Sequence, residues 1–160
     1  MPPIPRTDSP DPDGAHNLLV WARRFPPTGW GVRAARGFAV GAVEAGLRAV
    51  PVTRSPTSLA TTAADAGLVT SELASNAVRH AATPFEVLVD LARGRVRIEV
   101  RDGSDRLPRQ EDTSGGATGL GLMVVDRIAS AWGSTPTGRG KVVWAELPVG
   151  GPVLPGVGPG

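Results

Sequence analysis

The sequence predicts an α+β two-layer sandwich, in which helices cover one face of a mixed, mostly antiparallel sheet. Apolar residues recur at helical spacing before residue 83, and then alternate with polar residues at a spacing of two. The 160 residues suit one domain with one core. We expect it to span residues 17–149, because segments 1–16 and 150–160 are rich in proline and glycine, as disordered tails are.

Two helices are predicted before the sheet. The first covers residues 32–50, where six apolar residues share one helical face: Val32, Ala35, Ala39, Ala42, Val43 and Leu47. The second follows the segment PVTRSP, with Thr57 or Ser58 as its N-cap, and ends near Ala82, shortly before Pro84.

The alternating segments FEVLVDL and RVRIEVR predict two strands that form an antiparallel hairpin around ARGR. A polar stretch then precedes a third predicted helix, GLGLMVVDRIASAW, and a last strand, KVVWAEL. A further strand is predicted near residues 17–25. The helices would then pack on one face of the sheet.

Composition excludes several classes of function. The chain has no cysteine, which excludes disulfides, thiolate metal sites and thiol nucleophiles. Net charge is only +2, and the arginines are scattered rather than clustered, so direct nucleic-acid binding is not expected. No apolar run approaches the ~18 residues that span a bilayer, and the first residues lack a signal-peptide core. We therefore expect a cytoplasmic protein that does not bind membranes.

Three polar residues follow one another at four-residue steps in the segment SELASNAVRH: Glu72, Asn76 and His80. On a helix, Asn76 lies only ~20° from Val69 and therefore faces the core, with Glu72 at the edge of the same face. A buried amide without partners costs about 1–3 kcal/mol. Asn76 is therefore either satisfied by nearby backbone or placed at a ligand cavity, and Glu72 is either a solvated flank residue or part of that cavity. His80 is either a packed or capping histidine, or a ligand or phosphoacceptor.

Asp102 continues the alternation of Val96, Ile98 and Val100, which predicts that it faces the core at the end of its strand. A core-facing carboxylate needs a hydrogen-bond donor, which the amino group of a ligand could supply. Alternatively, the strand stops at Arg101 and Asp102 begins a turn.

The segment GGATGLGLMVV places glycines where a loop becomes a helix. Free backbone N–H groups and the helix dipole at such a junction can bind phosphate without a cationic side chain. The segment lacks the GxxxxGK[ST] pattern and does not follow a strand, so neither a P-loop nor a dinucleotide fingerprint fits.

Taken in order, ELASNAVRH, VRDGS and GLGL resemble the nucleotide-binding boxes of the GHKL ATPase superfamily, whose fold is the Bergerat-type, histidine-kinase-like ATP-binding fold. The likeness covers about residues 20–148 and is closest to bacterial anti-sigma-factor serine-protein kinases, which also end in a tryptophan-containing strand like VVWAELP. The resemblance implies ATP and Mg²⁺ as cofactors, and residues 103–118 as a flexible lid.

The resemblance also implies a role for each site residue. Glu72 would be the general base, Asn76 the magnesium ligand, and Asp102 the acceptor of the adenine amino group, with Gly103 beside it. The remaining residues of the boxes would hold the phosphates: Thr118, Gly119, Leu120 and Gly121.

The function that the resemblance implies is that of an ATP-dependent protein serine/threonine kinase and anti-sigma factor. Such a protein sequesters a sigma factor and phosphorylates an antagonist (anti-anti-sigma) protein; a homodimer is compatible with this role. One alternative is a catalytically inactive ATP-binding switch. Another is the ATPase domain of a histidine kinase, which is weakened because only His16 lies upstream of the boxes and no helix pair with a phosphoacceptor precedes them.

Overall fold

The computed structural model describes residues 19–50, 55–92, 94–105 and 120–149. The elements in chain order are β1 (Leu19–Phe25), α1 (Gly29–Ala49), α2 (Pro56–Ala81), β2 (Phe85–Ala92), β3 (Arg95–Asp102), α3 (Leu120–Ile128), β4 (Ala131–Thr137) and β5 (Gly140–Pro148). The predicted tails, and the part of the predicted lid after residue 105, lie outside the described residues.

The strands form one five-stranded sheet in the order β1-β2-β3-β5-β4. Each of the four pairings between the described strands is antiparallel. Helices α1 and α2 pack against each other and against the sheet, and α3 packs against α2 and β4. The predicted α+β sandwich with helices on one sheet face is therefore confirmed.

Local signals explain where the first two helices begin. Thr28 caps α1, because its hydroxyl accepts a hydrogen bond from the backbone N of Gly31 at 3.1 Å. Ser55 caps α2 in the same way through Ser58. The prediction of Thr57 or Ser58 as the cap of α2 was wrong, because Pro56 suits the first helical position, where its missing N–H costs nothing.

The hairpin predicted around ARGR is confirmed. Ala92 pairs with Arg95, and Gly94 lies between the strands with φ of 75°, a conformation that favours glycine. The apolar residues of β2 and β3 that alternate in sequence all lie in the core: Phe85, Val87, Val89, Leu91, Val96, Ile98 and Val100. The charged residues between those of β3 therefore lie on the opposite face of the sheet.

The third helix is shorter than predicted, and a strand replaces its end. Helix α3 stops at Ile128, and β4 begins three residues later as an edge strand paired with β5. Trp132, which the prediction placed in the helix, pairs with Ala145 of β5, and its Nε1 donates a hydrogen bond to Asp126 at 2.9 Å. At Ala131 and Trp132, pairing with β5 thus outweighs the predicted helical pattern.

Candidate functional site

Two polar side chains lie about one turn apart on α2, beside its buried face. Glu72 and Asn76 are each half-buried, whereas the residues that follow them, Leu73 and Ala77, are buried in the core. The Nδ2 atom of Asn76 is buried, and no acceptor for it lies among the described residues. Within this part of the chain, therefore, local backbone does not satisfy the amide, and a donor group is available to a ligand.

The carboxylate of Glu72 lies against the first turn of α3. A methyl group at Gly121 would collide with Oε2 of Glu72, so the carboxylate occupies the space where a Cβ of residue 121 would lie. The first turn of a helix carries backbone N–H groups without intrahelical partners and the positive end of the helix dipole. The structure therefore brings Glu72 to a helix start that suits an anion.

Asp102 ends β3 and points into the core, as the alternation of its strand predicts. Its Oδ1 atom accepts hydrogen bonds from Nζ of Lys141 at 2.9 Å and from the backbone N of Ser104 at 2.8 Å. Its Oδ2 atom is buried, and no donor to it lies among the described residues. The alternative in which the strand stops at Arg101 is wrong, although the bond from Ser104 does close a turn after the strand.

Lys141 is the site residue that the sequence prediction missed. It is the first side chain of β5 to face the core, directly opposite Asp102 in the strand register. The side chains of both residues are 1% exposed, so they form a fully buried ion pair. A signal was present in the sequence, because Lys141 shares the alternation of Val143, Ala145 and Leu147, which all lie in the core.

The end of β3 is joined to the segment that follows α2. The backbone N of Gly103 donates to Oγ1 of Thr83 at 3.2 Å, two residues after the end of α2. A groove of about 960 Å³ opens at this end of the sheet, and Thr83, Asp102, Gly103 and Lys141 are among its lining residues. Because α2 also packs against β3, the helix with Glu72 and Asn76 adjoins the strand that ends at Asp102.

Comparison with known families agrees with this geometry. The model of the histidine kinase-, DNA gyrase B- and HSP90-like ATPases matches residues 62–151, which is more than half of the chain. The chain belongs to this ATPase family. The matched region contains Glu72, Asn76, Asp102 and Gly121. A comparison with curated proteins found no match.

Membership of this ATPase family implies that the domain binds ATP, and the buried polar atoms fit that ligand. Oδ2 of Asp102 and Nδ2 of Asn76 have no partner among the described residues. The carboxylate oxygen could accept a hydrogen bond from the amino group of adenine, and phosphate oxygens could accept one from the amide nitrogen. Asn76 also has an amide oxygen of the kind that Mg²⁺ prefers. No group of three or more His, Asp or Glu side chains suited to a metal ion occurs in the described residues.

The described structure reaches only part of the predicted phosphate segment. Thr118 and Gly119 lie outside the described residues, while Leu120 and Gly121 are the first two residues of α3.

His80 is exposed in the last turn of α2. In the part of the chain that the structure describes, no helix is both long and apolar enough to cross a membrane.

Proposed function

We propose that this ATPase domain is a cytoplasmic protein serine/threonine kinase and anti-sigma factor, which sequesters a sigma factor and phosphorylates a serine of an antagonist protein. The observation that carries the proposal is the contact between the Glu72 carboxylate and Gly121 at the start of α3. In this contact the carboxylate, which can accept a proton, lies beside the N-terminus of α3, which would bind phosphate. An ATP-binding switch without catalysis would need no such acceptor.

In this proposal each residue has a separate task. Oδ2 of Asp102 accepts a hydrogen bond from the adenine amino group, and the amide oxygen of Asn76 would hold Mg²⁺. Backbone N–H groups at the start of α3, with Thr118 and Gly119 before it, hold phosphate oxygens. When bound, Mg²⁺ would neutralise charge on the phosphates.

Glu72 takes up the proton of the serine hydroxyl. As it does so, the hydroxyl oxygen bonds to the γ-phosphorus, and the bond from that phosphorus to the bridging oxygen of the leaving ADP breaks. General-base catalysis of this kind contributes typically about 10²–10⁴-fold to the rate. Because Glu72 is only half-buried beside the core, the fold should tolerate its loss.

The test is transfer of radiolabelled phosphate from ATP to candidate antagonist proteins by the wild type and by Glu72→Ala, with ATP binding measured by calorimetry. We expect the variant to bind ATP and the sigma factor while transfer falls at least about a hundredfold. Glu44→Ala, which removes an exposed glutamate from α1, is the matched control and should transfer at the wild-type rate.

The outcomes separate the alternatives. Transfer by Glu72→Ala at the wild-type rate would show that Glu72 is not the base. ATP binding without transfer by the wild type, across the candidate antagonists, would favour the inactive switch. A phosphorylated product that is labile in acid would indicate phosphohistidine and the histidine-kinase alternative, because phosphoserine survives acid.

A further inference from the structure

Lys141 is the only lysine among the 160 residues, and it is buried. The other sixteen basic residues are arginines. Burying an ammonium group costs free energy unless the group is paired. A surface lysine can be explained by solubility, but a buried one cannot. Pairing with Asp102 supplies part of the explanation, since the two side chains lie 2.9 Å apart.

The described residues do not use all the hydrogen-bonding groups of the pair. An ammonium group has three N–H donors, and among the described residues Lys141 donates only to Oδ1 of Asp102. The other carboxylate oxygen, Oδ2, has no donor in the same part of the chain. Toward the rest of the described chain, two neighbouring buried side chains therefore present an unused acceptor and unused donors side by side, where each would cost free energy if left without a partner.

This pattern is complementary to one edge of adenine. The amino group of adenine, N6, is a donor that lies between two ring acceptors, N7 and N1. Because N1 lies farther than N7 from the ribose-bearing N9, the edge formed by N6 and N1 is the one that reaches two fully buried side chains. Guanine presents the acceptor O6 at the position of the amino group, and this oxygen would face Oδ2 of Asp102 without a proton between them. A donor beside the carboxylate can therefore form a hydrogen bond to N1, a second atom of the base. The carboxylate has no proton to donate to that nitrogen.

We propose that Lys141 is a specificity-determining residue that donates a hydrogen bond to N1 of the adenine ring, while it holds Asp102 with Oδ2 toward the amino group. The inference rests on the proposed role of Asp102 as the acceptor of that amino group. The site then selects purines that carry a 6-amino group together with an unprotonated N1. A lysine that served only as the counter-ion of Asp102 would not sense N1.

Nucleotide analogues test this on the unaltered protein. Calorimetry would compare ATP with 1-deaza-ATP, in which N1 is replaced by C–H, and with purine riboside triphosphate, which lacks the amino group. A hydrogen bond to a charged group is worth enough for an affinity loss of about tenfold or more, so each analogue should bind at least that much more weakly than ATP. GTP should also bind more weakly.

The single lysine allows a direct spectroscopic test. Protein grown with ¹⁵N-labelled lysine contains one side-chain ammonium, which NMR observes without assignment. We expect ATP to move this Nζ resonance, and expect 1-deaza-ATP at saturating concentration to move it much less. Equal shifts with the two nucleotides would contradict a hydrogen bond to N1.

A variant completes the test. Lys141→Met should bind ATP and 1-deaza-ATP with equal affinity, because the donor that distinguishes them is gone. Arg48→Met is the matched control: it removes an exposed cation from the last turn of α1, near the opposite end of the sheet, and should keep the wild-type preference. If Lys141→Met does not fold, the analogue and NMR measurements on the wild type still decide.

Failure of this inference is distinguishable from failure of the proposed function. Equal affinity of the wild type for ATP and 1-deaza-ATP would overturn the role of Lys141 and leave ATP binding intact. No binding of any adenine nucleotide up to millimolar concentration would overturn both the adenine site and this inference.

Discussion

The buried ion pair between Lys141 and Asp102 predicts a large and specific effect on stability. Both side chains are 1% exposed, so Lys141→Met leaves a carboxylate buried without its counter-charge. Breaking such a pair costs about 3–5 kcal/mol. Because the backbone N of Ser104 still donates to Asp102, we expect the lower end, about 3 kcal/mol of unfolding free energy. For a domain of this size, that lowers the melting temperature by roughly 10 °C.

A double-mutant cycle measures the interaction. Urea denaturation followed by circular dichroism would give the unfolding free energy of the wild type, Lys141→Met, Asp102→Leu and the double variant. The double variant has no unpaired charge, so it should be more stable than either single variant, and the coupling energy should be about 3 kcal/mol.

Arg101→Met is the control for the loss of a cation. Arg101 is 45% exposed and pairs with Glu99 at the end of the same strand, so its loss should cost less than about 1 kcal/mol. The reasoning is refuted if Lys141→Met costs no more than this control, or if the effects of the two single substitutions simply add.

Two further predictions concern backbone and titration. Gly140→Ala should destabilise the domain by about 1–3 kcal/mol in thermal denaturation, because Gly140 has φ of 141° and a Cβ there would collide with the carbonyl oxygen of Asp102. Gly138→Ala, in the same turn, is the control, because a Cβ at that position would contact no atom of the described residues. The stability of this variant should stay within about 0.5 kcal/mol of the wild type. Burial raises the pKa of Asp65 in the folded state above its usual 3.8. At neutral pH the charged carboxylate therefore destabilises the folded state. Below the pKa values of both the folded and the unfolded state the group is neutral and this cost disappears. Asp65→Asn should therefore raise the melting temperature at neutral pH, and an equal gain well below pH 3.8 would contradict this cause.

The sequence by itself determined the elements whose periodicity is strong. Alternation in β2 and β3 predicted both the hairpin and the core face, and the same alternation placed Asp102 in the core. Helical spacing predicted α1 and α2 and predicted that Asn76 faces the core, where the structure has it half-buried. These features depend on residues close together in the chain, and the spacing of apolar side chains reports directly which of them face the core.

Tertiary structure alone decided the rest, because it depends on partners that are distant in the chain. Strand β4 contains Gly133 and Pro136 and has no clear alternation; it is a strand because β5 pairs with it, and the indole of Trp144 lies where a Cβ of Gly133 would be. The ion pair joins residues 39 positions apart, and only the pairing of β3 with β5 puts Lys141 opposite Asp102. Local sequence patterns predict whether a side chain faces the core or solvent. They do not predict which side chain from another part of the chain it will contact.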